Sequence, residues 1–317
     1  MLVENLGEIS RPHVFFTLGK GGVGKSTIAI ALALELSRKG RTLLASFDPA
    51  KHLLKYLGVP EPGRIHSVGA FDAYQLDLEQ ATRRLAEELE GNLEYLAPSL
   101  KVLNAEKVLS VARYTPGLEE DSIIRELSRI YGSTRYDYIV VDMPPTGLSL
   151  RVLVLPELYV SWLNKLIDLR LRILSLKYTV EKVKGGSRDI RDPVLDKLVE
   201  LRDTYLGLST SLKNPDKTSY IIVANPEPLP FYEVKEIMKT LKEVHGVNPR
   251  LLVMNKVPSD KLTSESEVFN IISECCEIPV HHACIPLLNK PPSSLHEVEA
   301  LTRTIYDCCE CLTKHRC

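Results

Sequence analysis

The residues best suited to chemistry form one glycine-rich run, Gly19-Lys20-Gly21-Gly22-Val23-Gly24-Lys25-Ser26-Thr27. An apolar run that predicts a buried strand precedes it, and an apolar run that predicts a helix follows it. This order, with Gly-Lys-Ser opening the helix, is the context of a phosphate-binding loop (P-loop). Glycines let backbone N–H groups approach phosphate oxygens, and the helix N-terminus adds partial positive charge. We therefore predict a nucleotide here, with Lys25 on its β- and γ-phosphates and the Ser26 hydroxyl on Mg²⁺, rather than a turn without a ligand.

Two aspartates each follow an apolar run that predicts a buried strand. Asp48 follows residues 41–47, and Asp142 follows residues 136–141. The carboxyl ends of parallel strands meet at the edge where open α/β sheets bind ligands. We predict that Asp142 holds Mg²⁺, directly or through water. Asp48 is predicted to position or deprotonate the attacking water, and capping the next helix is its alternative role.

Three short stretches lie where further nucleotide contacts are expected. Asp48-Pro49-Ala50 and Pro145-Thr146-Gly147 each follow a strand-ending carboxylate and are predicted to be switch loops. Gly147 would supply a hinge, and its N–H would meet the γ-phosphate. Asn255 follows the predicted strand 251–254, and its amide could read the edge of an adenine.

Strand-like and helical patterns alternate along most of the chain, which predicts an α/β fold with a doubly wound, mostly parallel sheet. Two regions, about 78–131 and 151–212, are predominantly helical, and the second contains no strand pattern. Because crossovers between strands are normally much shorter, we predict one P-loop ATPase domain over 1–317 with an inserted α-helical subdomain. Its helix from Arg151 to Lys182 should break at Pro156, and a closing helix should run from Leu295 to Leu312.

The second helical region carries a wide apolar stripe. Its members include Leu158, Trp162, Leu163, Leu166, Ile167 and Ile173. Core packing is the usual meaning of such a stripe, and a groove for a partner helix is the alternative.

Composition excludes several function classes. The net charge is −1, which gives no bulk electrostatic case for a nucleic-acid partner. No run of about eighteen apolar residues is present, and Met1–Ser10 contains no apolar core of a signal peptide. We therefore expect a cytoplasmic protein.

All seven cysteines lie in the last part of the chain, at Cys275, Cys276, Cys284, Cys308, Cys309, Cys311 and Cys317. An odd count confined to one end is not the framework of a secreted protein. A metal site, a redox site and disulfides of the kind found in hyperthermophile cytosol remain open.

The order of these motifs resembles that of the arsenite-pump ATPase family, and within it the targeting ATPases that deliver tail-anchored membrane proteins. The matching blocks are Gly19–Thr27, Asp48–Ala50, Asp142 with Pro145–Gly147, Ser149–Arg151, Asn225–Glu227, Asn255 and Ile285–Leu288. A second lysine after the first glycine, here Lys20, also resembles the deviant P-loop subclass of dimeric ATPases.

The resemblance implies a homodimer that ATP closes and ADP opens. Lys20 would reach the partner's nucleotide and stabilise developing charge, and Asp48 would activate water. Asn255, Pro286 and Leu287 would line the adenine. The helical subdomain would form an apolar groove for a client's transmembrane helix of about twenty residues. Neither the client nor a membrane receptor can be read from the residues.

The chain departs from the family pattern at several positions. Lys51-His52 replaces the usual His-Asn of switch I, and Leu148 replaces a histidine after Pro-Thr-Gly. The zinc-binding C-x-x-C of the targeting members is missing between Lys256 and Val268. Cys308 and Cys311 have that spacing on the predicted closing helix, so two protomers could share a Zn²⁺, although thiols or disulfides are favoured.

Two other functions compete with targeting. An arsenite- or antimonite-stimulated ATPase of an efflux pump would need converging thiolates, and no cysteine precedes Cys275. A nucleotide-gated scaffold or metal-cluster carrier could use Cys308 and Cys311 across a dimer.

Overall fold

The structure is a computed structural model that describes residues 2, 3, 6, 9–50, 52–96, 117–183, 192–258 and 266–307. Packing divides the chain into two compact units. The first comprises Met1–Ala81, Gly132–Leu150 and Leu212–Cys317, and the second comprises Thr82–Tyr131 and Arg151–Ser211. A client-binding role for the helical region remains a prediction.

An eight-stranded sheet forms the centre of the first unit. Its strands are β1 His13–Leu18, β2 Thr42–Ser46, β3 Ile65–Ser67, β4 Asp72–Gln75, β5 Tyr138–Asp142, β6 Thr218–Ala224, β7 Leu251–Val257 and β8 His281–Pro286. They lie in the order β3-β4-β2-β5-β1-β6-β7-β8, and within the described sheet only the β3–β4 pairing is antiparallel. The predicted α/β fold with a mostly parallel sheet is confirmed.

Helices connect these strands and form most of the second unit. They are α1 Lys25–Ser37, α2 His52–Leu57, α3 Leu78–Leu96, α4 Leu118–Tyr131, α5 Thr146–Val183, α6 Pro193–Lys213, α7 Pro228–Thr240, α8 Glu267–Cys276 and α9 Leu295–Thr302. A short π-helical turn, Leu241–His245, continues α7.

The sheet core explains why α1 is apolar on all sides. Residues from the sheet, from α9 and from the N-terminal segment bury the helix, so it exposes little of its surface to water. Its one acidic residue, Glu35, is buried and accepts hydrogen bonds from the backbone N–H groups of Leu2 (3.3 Å) and Val3 (3.0 Å). These bonds satisfy the carboxylate and attach the N-terminal segment to the core.

Helix α5 differs from the sequence prediction at two places. It begins at Thr146 rather than Arg151, so Thr146 and Gly147 form its first turn instead of a loop. It also continues through Pro156, where a break was predicted. A proline removes one backbone hydrogen bond from a helix interior, but the fully buried Val152 and Leu153 hold the preceding turn in place.

The closing helix is also shorter than predicted. It ends at Thr302 instead of Leu312. The backbone of Tyr306 pairs with Cys284 on β8, donating and accepting hydrogen bonds of 3.1 and 2.7 Å. This pairing satisfies the open edge of β8, which the helical pattern of the sequence did not reveal.

A polar network at the amino end of the sheet determines the protonation state of His13. Arg250 donates to Ser219 Oγ (3.3 Å), which contacts His13 Nε2 (2.8 Å), and His13 Nδ1 contacts the Asp216 carbonyl (3.0 Å). Because a guanidinium only donates and a carbonyl only accepts, His13 carries its proton on Nδ1 and accepts from Ser219. Burial is the main reason why the pKa of His13 falls to about 4.

This network predicts a loss of stability in mild acid. The unfolded state binds a proton near pH 6.5 and the folded state only near pH 4. Lowering the pH from 7.5 to 4.5 should therefore remove about 2–3 kcal/mol of the free energy of unfolding through His13. Urea unfolding of the wild type and of His13→Gln, each at pH 7.5 and at pH 4.5, tests this prediction. The difference in free energy of unfolding between the two proteins should be smaller at pH 4.5. Parallel pH profiles would contradict the assignment.

Candidate active site

A cavity of about 690 Å³ opens at the carboxyl edge of the sheet. Its lining includes predicted residues from the P-loop, both switches and the adenine segments. They are Gly21, Gly22, Gly24, Lys25, Ser26, Thr27, Asp48, Ala50, Pro145, Asn255, Pro286 and Leu287. Tyr56, Lys256 and the Pro291-Pro292 pair also line it and were not predicted. This volume is typical of a small-molecule site.

Close packing explains two of the P-loop glycines. A Cβ on Gly19 would lie 2.1 Å from the Val223 carbonyl oxygen, and one on Gly24 would lie 2.3 Å from Asn255 Nδ2. Both glycines have positive φ, 143° and 100°. Gly24 is also the N-cap of α1, so no capping side chain covers the first backbone N–H groups of the helix. Those groups remain available to an anion.

The predicted magnesium pair lies together below this loop. The Ser26 hydroxyl donates to Asp142 Oδ2 (2.7 Å), and Ser46 donates to the same oxygen (3.2 Å). Asp142 has no exposed surface, and burial raises its pKa to about 6. A hydroxyl beside a buried carboxylate fits Mg²⁺, which takes oxygen ligands and would compensate the buried charge.

Lys25 opens α1 and is buried at the same place. Its ammonium group donates to the Lys20 carbonyl (3.2 Å) within the loop. Burial lowers its pKa, and the charges of Asp142, Asp48 and Glu233 oppose that shift. A buried cation inside an anion-binding loop is suited to hold phosphate oxygens.

Asp48 stabilises a turn in this conformation. Its Oδ1 accepts from the N–H of Ala50 (2.9 Å), two residues before α2 begins. Gln75, which the sequence analysis missed, donates to the carbonyls of Asp48 (2.9 Å) and Ser46 (3.3 Å) and holds the chain at this point. Water activation by Asp48 remains a prediction. Lys51 lies outside the described residues.

A bulge in β7 holds the P-loop from one side. Asn255 Nδ2 donates to the Val23 carbonyl (2.7 Å), and Lys256 Nζ donates to the Gly22 carbonyl (2.8 Å). Lys256 has a φ of 58°, and the register between β7 and β8 shifts at this point. Asn255 therefore lies within a strand that was predicted to end at Met254, and its amide contacts the loop backbone. Its role toward adenine remains a prediction.

Glu233 on α7 is a further residue that the sequence analysis missed. Its Oε2 accepts from the Thr146 hydroxyl (2.7 Å), and its Oε1 lies 3.8 Å from Lys20 Nζ. Lys20 of the P-loop and Thr146 of the second switch, Pro145-Thr146-Gly147, thus contact the same carboxylate.

The residues predicted to bind a client lie in the second unit on α5. Leu158, Trp162, Leu166 and Ile173 are exposed, whereas Leu163 and Ile167 are buried. Trp162, Leu163 and Leu166 line a cavity of about 340 Å³ that Asp121, Arg125 and Tyr205 also border.

Cys308 and Cys311, for which shared zinc was the less favoured alternative to thiols or disulfides, lie outside the described residues. Within the described part of the chain, Cys275 and Cys284 are buried and Cys276 is disulfide-bonded. Among these residues no group of three or more His, Cys, Asp or Glu side chains could hold a metal ion. Zinc binding by the C-terminal pair remains a prediction.

Comparison with known families decides the class of protein. The ArsA family, described as anion-transporting ATPases, matches residues 12–275. The chain belongs to this family. It is therefore an ATPase, and the cavity at the carboxyl edge of the sheet is its candidate nucleotide site.

Individual relatives of the ATPase carry two kinds of name. The putative arsenical pump-driving ATPase 2 of Aquifex aeolicus is 30% identical over 248 residues, covering 77% of this chain and 80% of that protein. The ATPase ASNA1 homolog 1 of Paramecium tetraurelia is 30% identical over 273 residues, covering 82% and 80%. The ATPase GET3 of Malassezia globosa is 26% identical over 246 residues, covering 76% and 72%. Among the described residues, no helix of the ATPase combines the length and apolarity needed to cross a bilayer.

The bulge predicts separable effects on nucleotide binding and stability. Lys256→Ala and Lys256→Gly both remove the hydrogen bond to Gly22, so each should weaken ATP binding about fivefold. Glycine adopts the left-handed φ of position 256 without the strain that alanine has there. Lys256→Gly should therefore be about 1 kcal/mol more stable than Lys256→Ala. Titration with a fluorescent ATP analogue and urea unfolding measure the two effects. Wild-type affinity in both variants would contradict a role in holding the loop.

The buried carboxylate predicts opposite effects on stability and magnesium binding. In the folded protein the pKa of Asp142 is about 6, so above that pH the buried carboxylate is charged. Burying this charge lowers the free energy of unfolding, and Asp142→Asn removes the charge. The variant without nucleotide should therefore gain up to about 3 kcal/mol at pH 7.5. The gain should vanish at pH 3.5, below the unfolded pKa, where the aspartate is protonated in both states. Mg²⁺ with ATP should stabilise the wild type more than the variant, and equal stabilisation would refute the magnesium assignment.

Proposed function

We propose that this ATPase is a cytoplasmic, homodimeric targeting factor that shields and delivers tail-anchored membrane proteins. The observation that carries the proposal is the exposed apolar face of α5. Of the fifteen exposed large apolar side chains in the described residues, nine lie on this helix, and all of these except Leu171 and Tyr178 share one side of it by their i+3 and i+4 spacing. Exposed apolar patches of this kind are typical of interaction sites.

The dimensions of this face match the proposed client. Exposed apolar residues extend along α5 from Leu158 to Val180, which is about 33 Å at the helical rise of 1.5 Å per residue. A transmembrane helix of about twenty residues has nearly the same length, about 30 Å. One client helix could therefore lie along the exposed face and cover it.

The nucleotide site supplies the cycle that such a factor requires. Lys25 and the N-terminus of α1 would hold the phosphates, and Ser26 and Asp142 would hold Mg²⁺. Bound Mg²⁺ would neutralise charge that develops on the transferred phosphoryl group. Asp48 would orient the attacking water, and Lys20 would reach the nucleotide of the partner protomer. ATP would thereby hold two protomers together until hydrolysis releases them.

Client capture tests the proposal directly. Asp48→Asn should bind ATP but not hydrolyse it, so it should retain a tail-anchored protein that the wild type releases as ATP is consumed. Gel filtration of each protein with a labelled transmembrane segment, Mg²⁺ and ATP measures the retained fraction. An Asp48→Asn protein that binds ATP and never retains the segment would refute the targeting function.

Substitutions on the exposed face of α5 test whether it binds the client, and Ile65→Glu in the first unit is their matched control. Trp162→Glu and Leu166→Glu replace side chains that are 54% and 48% exposed, so the fold should tolerate them. Each should lower client affinity about tenfold or more, because a large apolar contact is lost. Ile65→Glu changes an exposed apolar residue of the first unit in the same way and should leave capture unchanged. Equal losses in all three variants would indicate nonspecific hydrophobic binding instead.

An arsenite- or antimonite-stimulated ATPase is the second candidate, because relatives such as the Aquifex protein carry that name. The chain has no cysteine before Cys275, so the second unit offers no thiolate for a metalloid. Stimulation of ATP turnover by antimonite would favour this candidate over targeting.

A further inference from the structure

One carboxylate lies among the residues that should receive the γ-phosphate. Glu233 is half-buried on α7, and its two oxygens face Lys20 Nζ at 3.8 Å and the Thr146 hydroxyl at 2.7 Å. Its charge also acts on the buried Lys25. Phosphate sites normally present donors and cations, so a carboxylate that pairs with Lys20 and accepts a hydrogen bond from Thr146 requires an explanation.

The position of Glu233 is set by its helix. Its neighbours Phe231 and Val234 are buried in the core of the first unit, and they anchor this part of α7. Lys20 belongs to a glycine-rich loop, and Thr146 lies in the first turn of α5 after two prolines. Thr146 is itself buried, whereas the Lys20 side chain is 33% exposed, so Lys20 is the partner that is freer to leave Glu233.

We propose that the Glu233 carboxylate competes with the γ-phosphate of ATP for Lys20 and Thr146. Its carboxylate contacts Lys20 and Thr146, and both Lys20 and the switch that contains Thr146 are expected near a γ-phosphate. ATP must displace these groups from Glu233, whereas ADP, which ends at the β-phosphate, leaves them there. The contact thus holds the site in an inactive arrangement and opposes ATP specifically.

The inference rests on the nucleotide role of Lys20 given above and does not depend on the client. It holds whether Lys20 meets the phosphate of its own protomer or that of a partner, because either movement breaks the contact with Glu233. Repulsion between the carboxylate and the additional charge of ATP acts in the same direction.

Replacement by an isosteric amide tests the inference. In Glu233→Gln the amide oxygen can still accept from Thr146, but the attraction to Lys20 and the repulsion toward a γ-phosphate disappear. Binding of MgADP and of Mg²⁺ with the β,γ-imido analogue of ATP is measured by calorimetry on the full chain. We expect the ATP analogue to bind about three- to tenfold more tightly, and ADP to change less than about twofold.

Glu236→Gln is the matched control, because it removes the same charge from an exposed position on the same helix. It should leave both affinities at the wild-type values. An equal change for both nucleotides in Glu233→Gln, or weaker binding of the ATP analogue, would overturn the inference. A wild type that binds neither nucleotide would refute the nucleotide site itself, which is a separate failure. Thermal unfolding of both variants confirms that each is folded.

Discussion

A single buried carboxylate organises the nucleotide end of this ATPase. Asp142 has no exposed surface, and hydroxyl groups from three neighbouring elements surround it: Thr17 of β1, Ser26 of α1 and Ser46 of β2. A buried charge is tolerated only where donors or a cation compensate it. The need to surround Asp142 therefore determines how two strands and the first turn of α1 converge on the end of β5.

The P-loop itself is held from outside by two elements that come much later in the chain. The bulge of β7 donates to the carbonyls of Gly22 and Val23. Helix α7 presents Glu233 to Lys20. Because carbonyls bonded to the bulge cannot turn inward, the N–H groups of the loop remain directed toward the cavity. The loop is thus prepared for an anion by contacts that lie more than two hundred residues away in the sequence.

Local sequence rules predicted the parts of the site that local physics determines. The glycine-rich loop, the buried Asp142 at the end of β5 and the parallel sheet follow from spacing and periodicity, and the structure contains all three, whereas nucleotide binding by these residues stays a prediction. Lys256 and Glu233 were missed because their roles depend on a bulge and a helix orientation that only the folded sheet creates. The same reason explains why β3 was missed. It is three residues long, largely exposed and formed by pairing with β4.

Two of the differences from the predicted helices, at Pro156 and after Thr302, have a common physical cause. A proline lowers the intrinsic stability of a helix, yet the buried turn before Pro156 keeps α5 continuous. A helical pattern favours continuation beyond Thr302, yet the unpaired edge of β8 binds the backbone of Tyr306 instead. In both places tertiary contacts outweigh local propensity, which spans up to about 0.7 kcal/mol for an ordinary residue and about 3 kcal/mol for a proline.

The candidate nucleotide site contains two unfavourable features, one of which a bound cation would relieve. The buried carboxylate of Asp142 and the left-handed backbone of Lys256 each cost stability. A cation beside Asp142 would replace the first of these costs with a favourable contact. Binding to the folded state alone raises stability by about 2.7 kcal/mol at a hundred times the Kd. The stability of this ATPase should therefore depend strongly on its nucleotide, because the residues that break local rules are those that ATP would contact.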